Sequence, residues 1–92
     1  AHTVTRAGKT IELSAKEYAL LSYLLHNKNL VLTREQIEDH IWNADYEGGT
    51  NVVDVYIRYL RKKVDDGFEP KLIHTVRGVG YVLREESEGD AL

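Results

Sequence analysis

Residues 51–63 read "NVVDVYIRYLRKK", and four of the chain's twelve Lys and Arg residues fall in the last six positions of that stretch. Laid on a helix at about 100° per residue, Val53, Ile57, Leu60 and Val64 gather within about 60° of one another, an apolar stripe fit to face a core. The opposite pole then holds Asn51, Val52, Val55, Tyr56, Tyr59, Lys62 and Lys63, with Arg58 and Arg61 flanking one side. Helix propensity gives valine no advantage at a water-facing pole, so Val52 and Val55 there call for another reason. Valine methyls can meet thymine methyls in a major groove, tyrosines can reach phosphates or base edges, and arginines neutralise phosphate. Basic outer faces are nevertheless common on amphipathic helices, so the surroundings of the stretch have to decide between groove reader and solvated surface.

Outward from it, the chain divides into short elements. "TVTRAGKTIEL" (3–13) has two β-prone runs around Ala7-Gly8 and predicts a hairpin. Ser14 followed by Glu17 has capping-box spacing and opens a first helix carrying Leu20, Leu21, Leu24 and Leu25. A second box, Thr33 with Gln36, opens a short helix on which Ile37 and Ile41 lie one turn apart. "NADYEGGT" (43–50) reads as a loop, after which Thr50 or Asn51 caps the third helix. Gly67 and Pro70 end that helix. "KLIHTVRGVGYVL" (71–83) predicts a second hairpin around Arg77-Gly78-Val79-Gly80, where Gly78 and Gly80 are expected to serve turn geometry only. The expected fold class is α+β: a winged helix-turn-helix with a three-helix core, short N-terminal antiparallel strands and a C-terminal β-hairpin wing. In such a fold the third helix is the natural groove reader, and a basic wing tip can reach the adjacent minor groove or backbone.

Composition sets the bounds. Ninety-two residues, 42% hydrophobic and 29% charged, suit one soluble domain. Cysteine is absent, so no disulfide framework or thiolate metal site exists. The apolar runs fall short of the roughly 20 residues that cross a bilayer, and the N-terminus lacks a signal core; a cytoplasmic location and no membrane partner are expected. The net charge of −3 argues against a nucleic-acid partner, but its distribution argues the other way. Residues 51–84 hold seven Lys/Arg against four Asp/Glu, whereas residues 85–92 hold none against four. That acidic end is expected to be a disordered tail, which leaves residues 1–84 as the domain.

Enzyme chemistry finds no footing. The four histidines follow no metal-ligand spacing, no nucleophile motif is present, and "RGVGY" lacks a phosphate loop's full glycine pattern. No catalytic residue, metal ligand or cofactor is expected. Glu35 and Asp39 could pair as carboxylates but fit a solvated face better. Asp54 reads as a first-turn charge favoured by the helix dipole. Trp42 reads foremost as packing at a helix end.

"LSAKEYALLSYLLHN", "LTREQIEDHIW", "NVVDVYIRYLRKKV" and "IHTVRGVGYVL", in this order and spacing, resemble the C-terminal winged-helix effector domain of the OmpR/PhoB family of two-component response regulators. The likeness covers nearly all of residues 9–84. It implies a receiver domain on the N-terminal side, absent here, and an N-terminal sheet of which about half is present. It implies base contacts at Val55 and Tyr59, and base or backbone contacts at Asn51, Val52, Tyr56, Arg58 and Arg61, with Lys62 on the same face. Arg34, Trp42, Thr75 and Tyr81 match phosphate-contact positions, and Arg77 matches the minor-groove arginine. Asp45, Tyr46, Glu47 and Gly48 fall in a loop resembling the segment that meets RNA polymerase. Many members carry arginine where Asn51 and Tyr59 stand, so this chain's base preference is its own.

The implied partners are double-stranded DNA with tandem half-sites, RNA polymerase, and a histidine kinase acting through the absent receiver. A homodimer is expected on DNA and a monomer for the isolated domain. The competing reading is a winged-helix interaction module that docks a protein through Val52, Val55, Tyr56 and Tyr59. A steep fall of affinity with salt separates the first reading from the second.

Overall fold

The computed structural model describes residues 2–42 and 51–85. Their elements run β1 (Thr3–Arg6), β2 (Lys9–Glu12), α1 (Ala15–His26), β3 (Leu32–Thr33), α2 (Arg34–Trp42), α3 (Asn51–Val64), β4 (Ile73–Val76) and β5 (Gly80–Leu83). Both predicted hairpins and all three predicted helices are present.

β1 and β2 pair antiparallel, Val4 opposite Ile11, across a turn in which Ala7 and Gly8 both have positive φ (52° and 79°). Two-residue hairpin turns require that backbone because it matches the right-handed twist of the strands. Ser14 caps α1 reciprocally: its hydroxyl accepts from the Glu17 amide at 3.2 Å, and Glu17 Oε1 accepts from the Ser14 amide at 2.8 Å. Thr33 and Gln36 do the same for α2 at 3.1 and 2.8 Å. Asn51 is the first residue of α3 itself; Thr50 and the predicted 43–50 loop, including Asp45, Tyr46, Glu47 and Gly48, lie outside the described residues, as do residues 86–92 of the acidic end.

The second sheet differs from the expected simple wing. Its strand order is β3-β5-β4, with β5 in the middle. β3 is too short for its alternation to be read from sequence, and only the Thr33 cap signalled anything there. Its arrival explains Gly80, which opposes Thr33 on one side and Val76 on the other. A Cβ on Gly80 would stand 1.9 Å from the Leu32 carbonyl oxygen. Gly80 is therefore required by close strand packing, not by turn geometry; Gly78, with φ +75°, does serve the turn.

Leu20 and Leu24 of α1, Ile37 of α2, Val53, Ile57 and Leu60 of α3 and Leu83 of β5 form one buried cluster. The end of α3 is fastened by an acid. Buried Asp65 accepts from the amides of Leu72 and Ile73 at 3.0 Å each and from Arg6 Nη1 at 2.9 Å. Arg6 also donates to the carbonyls of Val64 and Pro70. A buried charge held this way has its desolvation offset by several donors, and the contact ties β1 and the base of the wing to the same helix end. The apolar stripe of α3 faces inward, so its other pole is left facing out.

Candidate nucleic-acid interface

Burial fixes which side of α3 can meet a partner. Val53, Ile57, Leu60 and Val64 are buried, whereas Asn51, Arg58, Tyr59 and Lys62 are exposed and Val52, Val55 and Tyr56 are half-buried. The predicted outward face is real, with two qualifications. Val52 and Tyr56 pack partly against the rim of the core, so they divide their surface between folding and the outside. Lys63 leans away from the face: its ammonium donates to Glu17 Oε1 at 2.6 Å. Burial alone would raise the Glu17 pKa, but Lys63 and the Ser14 amide outweigh it and hold the carboxyl below its usual range.

On one flank the face continues into aromatic rings. Tyr56 meets Tyr59 edge-on with centroids 5.5 Å apart, and Trp42 at the end of α2 meets Tyr56 edge-on at 5.2 Å. Lys16 of α1 lies over the Trp42 ring at 5.8 Å and donates to the Ile41 carbonyl at 2.9 Å. Nothing in the sequence around Lys16 signalled this role. Trp42 therefore does pack at a helix end, as predicted, and it packs against a residue of the candidate surface.

The other flank joins the wing. Arg61 donates through Nη2 to the Thr75 hydroxyl at 2.6 Å and through Nε to the Ile73 carbonyl at 3.2 Å. Buried Tyr81 has Arg34 and Arg61 guanidinium groups 5.7 and 5.6 Å from its ring centroid. Its hydroxyl donates to Asp54 Oδ1, which also accepts from Arg34 Nε at 2.8 Å. Burial would raise the Asp54 pKa, but Arg34 and Tyr81 outweigh it and lower it; burial followed by Asp54 raises that of the Tyr81 phenol. Asp54 is more than a charge near the helix dipole: it bridges α2, α3 and β5. Sequence spacing could not reveal this, because its partners lie 20 and 27 residues away.

Lys9 of β2 and three cations of α3 and the wing remain without a partner among the described residues. Arg58 and Lys62 are exposed one turn apart on α3, and Arg77 is exposed at the wing tip beside Val79. Such unspent charge can neutralise phosphate without first breaking an internal bond. Arg34, Arg61, Thr75 and Tyr81 are instead linked to one another or to Asp54, and they border the same surface. The predicted residues outside 43–50 lie on α3, at the two ends of α2 and on the wing, elements joined by the Trp42–Tyr56, Arg34–Asp54 and Arg61–Thr75 contacts.

Comparison with known proteins shows the family of the chain. Residues 8–83 match the family described as "Transcriptional regulatory protein, C terminal". Transcriptional regulatory protein PcoR of Escherichia coli is 55% identical over 86 residues, covering 94% of this chain and 38% of that protein. Response regulator DrrB, a Thermotoga maritima OmpR/PhoB homologue, superposes with a TM-score of 0.79 at 36% identity over 89% of this chain and 37% of that one. The DNA-binding domain of response regulator AdeR, solved in complex with an intercistronic region, superposes with a TM-score of 0.80 at 27% identity, covering 92% and 86% of the two chains. The chain spans under two fifths of the length of the curated relatives it matches.

Proposed function

Because this chain belongs to the family of transcriptional regulatory protein C-terminal domains, the winged-helix DNA-binding domains of OmpR/PhoB-type response regulators, we propose that α3 enters the major groove of double-stranded DNA while the wing follows the neighbouring minor groove or backbone. The single observation that carries the reading is the juxtaposition of the unpaired cations Arg58, Lys62 and Arg77 with the outward pole of α3. The net charge of −3 does not oppose it, since the cations lie on the face that would meet phosphate.

In this reading Asn51, Val55 and Tyr59 reach base edges, and Arg58 neutralises a backbone phosphate beside them. Val52 and Tyr56 close the α2 side, and Trp42 lines the approach to the backbone there. Lys62 and Arg77 contact phosphate or the minor groove, Arg34, Arg61 and Thr75 fix α3 relative to the wing while presenting donors to the backbone, and Tyr81, whose hydroxyl proton goes to Asp54, holds that group in place. Two protomers occupy tandem half-sites on DNA. A receiver domain phosphorylated by a histidine kinase supplies regulation in the cytoplasm, and the segment holding Asp45, Tyr46, Glu47 and Gly48 meets RNA polymerase. Among the described residues no helix is long and apolar enough to cross a membrane.

A fluorescence-anisotropy titration with duplex DNA over a series of salt concentrations tests the proposal. Log affinity should fall linearly with log salt, by about 0.9 per phosphate neutralised. A flat salt response, or no binding to long duplexes at low salt, would favour protein docking through the Val55 and Tyr59 surface instead.

A further inference from the structure

We propose that Lys16 of α1 is a positioning residue for DNA binding: its ammonium seats Trp42, and through Trp42 and Tyr56 it sets the orientation in which Tyr59 meets DNA. The inference rests on the DNA-binding role of the outward face of α3 and adds to it a residue from a helix that does not form that face. Three observations lead to it.

The first is where the Lys16 charge is placed. Lys16 is exposed in the first turn of α1, and among the described residues it forms no ion pair with a carboxylate. Its ammonium instead donates to the Ile41 carbonyl at 2.9 Å and lies 5.8 Å from the centre of the Trp42 ring. Ile41 and Trp42 are the last two residues of α2. Carbonyls in the last turn of a helix lack an intrahelical partner and carry its partial negative charge, so a cation there steadies the helix end. The same cation over the indole adds a second attraction that holds the ring.

The second is how firmly Lys16 itself is held. Ser14 and Glu17 cap the start of α1 reciprocally, and the Glu17 carboxylate also accepts from Lys63 of α3 at 2.6 Å. Adjacent residues of one turn therefore reach two different helices, Lys16 the end of α2 and Glu17 the end of α3. A lysine on so anchored a backbone has fewer positions to give up when its ammonium is seated.

The third is the row of rings that follows. Trp42 meets Tyr56 edge-on at 5.2 Å, and Tyr56 meets Tyr59 edge-on at 5.5 Å. Lys16 is thus linked through packed rings to Tyr59, which is 45% exposed on the outward face. Packed side chains pass a change of orientation from one to the next, and a ring ordered beforehand loses less freedom when it docks.

The experiment selects duplexes that the wild-type domain binds from a randomised pool and titrates them by fluorescence anisotropy over a series of salt concentrations. Lys16→Met removes the charge and keeps the length of the side chain. It should raise Kd by about two- to fivefold, the size of one exposed cation–π contact, and leave the slope of log affinity against log salt unchanged. In the free variant, acrylamide should quench the chain's single tryptophan more readily than in wild type. Lys16→Arg, which keeps a donor and a cation over the ring, should restore both readouts. In a Tyr59→Ala background Lys16→Met should cost no further affinity, because the ring it orients is gone.

A slope lowered by about 0.9 with tryptophan quenching unchanged would make Lys16 a phosphate contact and overturn the positioning role. An undiminished loss in the Tyr59→Ala background would overturn it too, as would a loss shared by Lys16→Arg that tracks a lowered thermal unfolding midpoint. Wild-type affinity in Lys16→Met would sink this proposal and leave DNA binding standing. If the pool yields no bound duplex at low salt, the DNA-binding role of α3 falls and the proposal falls with it.

Discussion

Arg34 Nε and Asp54 Oδ1 meet at 2.8 Å, a bond between the first residue of α2 and the first turn of α3. Because Asp54 also accepts from Tyr81 of β5, this one carboxylate sets the angle between the helix-turn-helix and the wing. An arginine already paired with a carboxylate is a poorer neutraliser of phosphate than a free one, but it is well oriented to donate a remaining N–H to the backbone.

Asp54→Ala should therefore lower stability by about 1–2 kcal/mol, reduced from the usual value of a charged hydrogen bond because the pair is partly solvated. DNA affinity should fall as well, although a negative charge has been removed. Denaturant unfolding and anisotropy on the same preparation check this. Tighter binding by the variant would mean that Asp54 acts on DNA mainly through repulsion.

Removing Arg58 or Lys62 should act differently. Arg58→Ala and Lys62→Ala should each reduce the salt slope by about 0.9 and leave the unfolding free energy within about 0.5 kcal/mol of wild type. Arg77→Ala should likewise weaken binding with little effect on folding. Ile57→Ala, which truncates a side chain only 1% exposed, should instead cost about 2–5 kcal/mol. Equal destabilisation by Arg77→Ala and Ile57→Ala would contradict the assignment of the two faces.

Gly80→Ala should disrupt the contact between β3 and β5, since the added carbon would meet the Leu32 backbone and no flexible side chain can yield. A loss of about 3 kcal/mol or more is expected. Gly78→Ala should cost less, because nothing lies within 4 Å of its added carbon and only the positive φ opposes it. Thermal unfolding of the two variants side by side gives the ordering.

The Glu17–Lys63 pair predicts a pH dependence with a definite sign. The Glu17 pKa is lowered in the folded state, so the pair contributes stability above the usual carboxylate range and loses it as pH falls through the lowered value. Lys63→Met should be less stable than wild type near neutrality, and the gap should narrow in acid. Unfolding curves from roughly pH 7 down to pH 3 test this; a gap that stays constant would show that the difference comes from packing.

What could be read in the sequence was local. The spacing of Ser14 with Glu17 and of Thr33 with Gln36 marked two helix starts, and the stripe of Val53, Ile57, Leu60 and Val64 marked the inner side of α3. The Arg77-Gly78 tip marked the wing. What escaped were contacts between residues distant along the chain. The bridge made by Asp54, the clamp of Arg6 on Asp65, the retreat of Lys63 to Glu17 and the close approach of Leu32 to Gly80 all join separate elements, and no periodicity encodes them. The candidate surface was accordingly legible as a list of residues, while the distinction between its spent and unspent charges required the fold.

The most direct test of the central claim, that the outward pole of α3 and the wing tip meet DNA, is a backbone amide chemical-shift titration of the domain with duplex DNA. The account predicts the largest shifts at the outward positions of Asn51–Lys62 and at Arg77–Val79, with Ser22–Leu25 of α1 unchanged. Shifts concentrated on α1, with α3 and the wing silent, would contradict it.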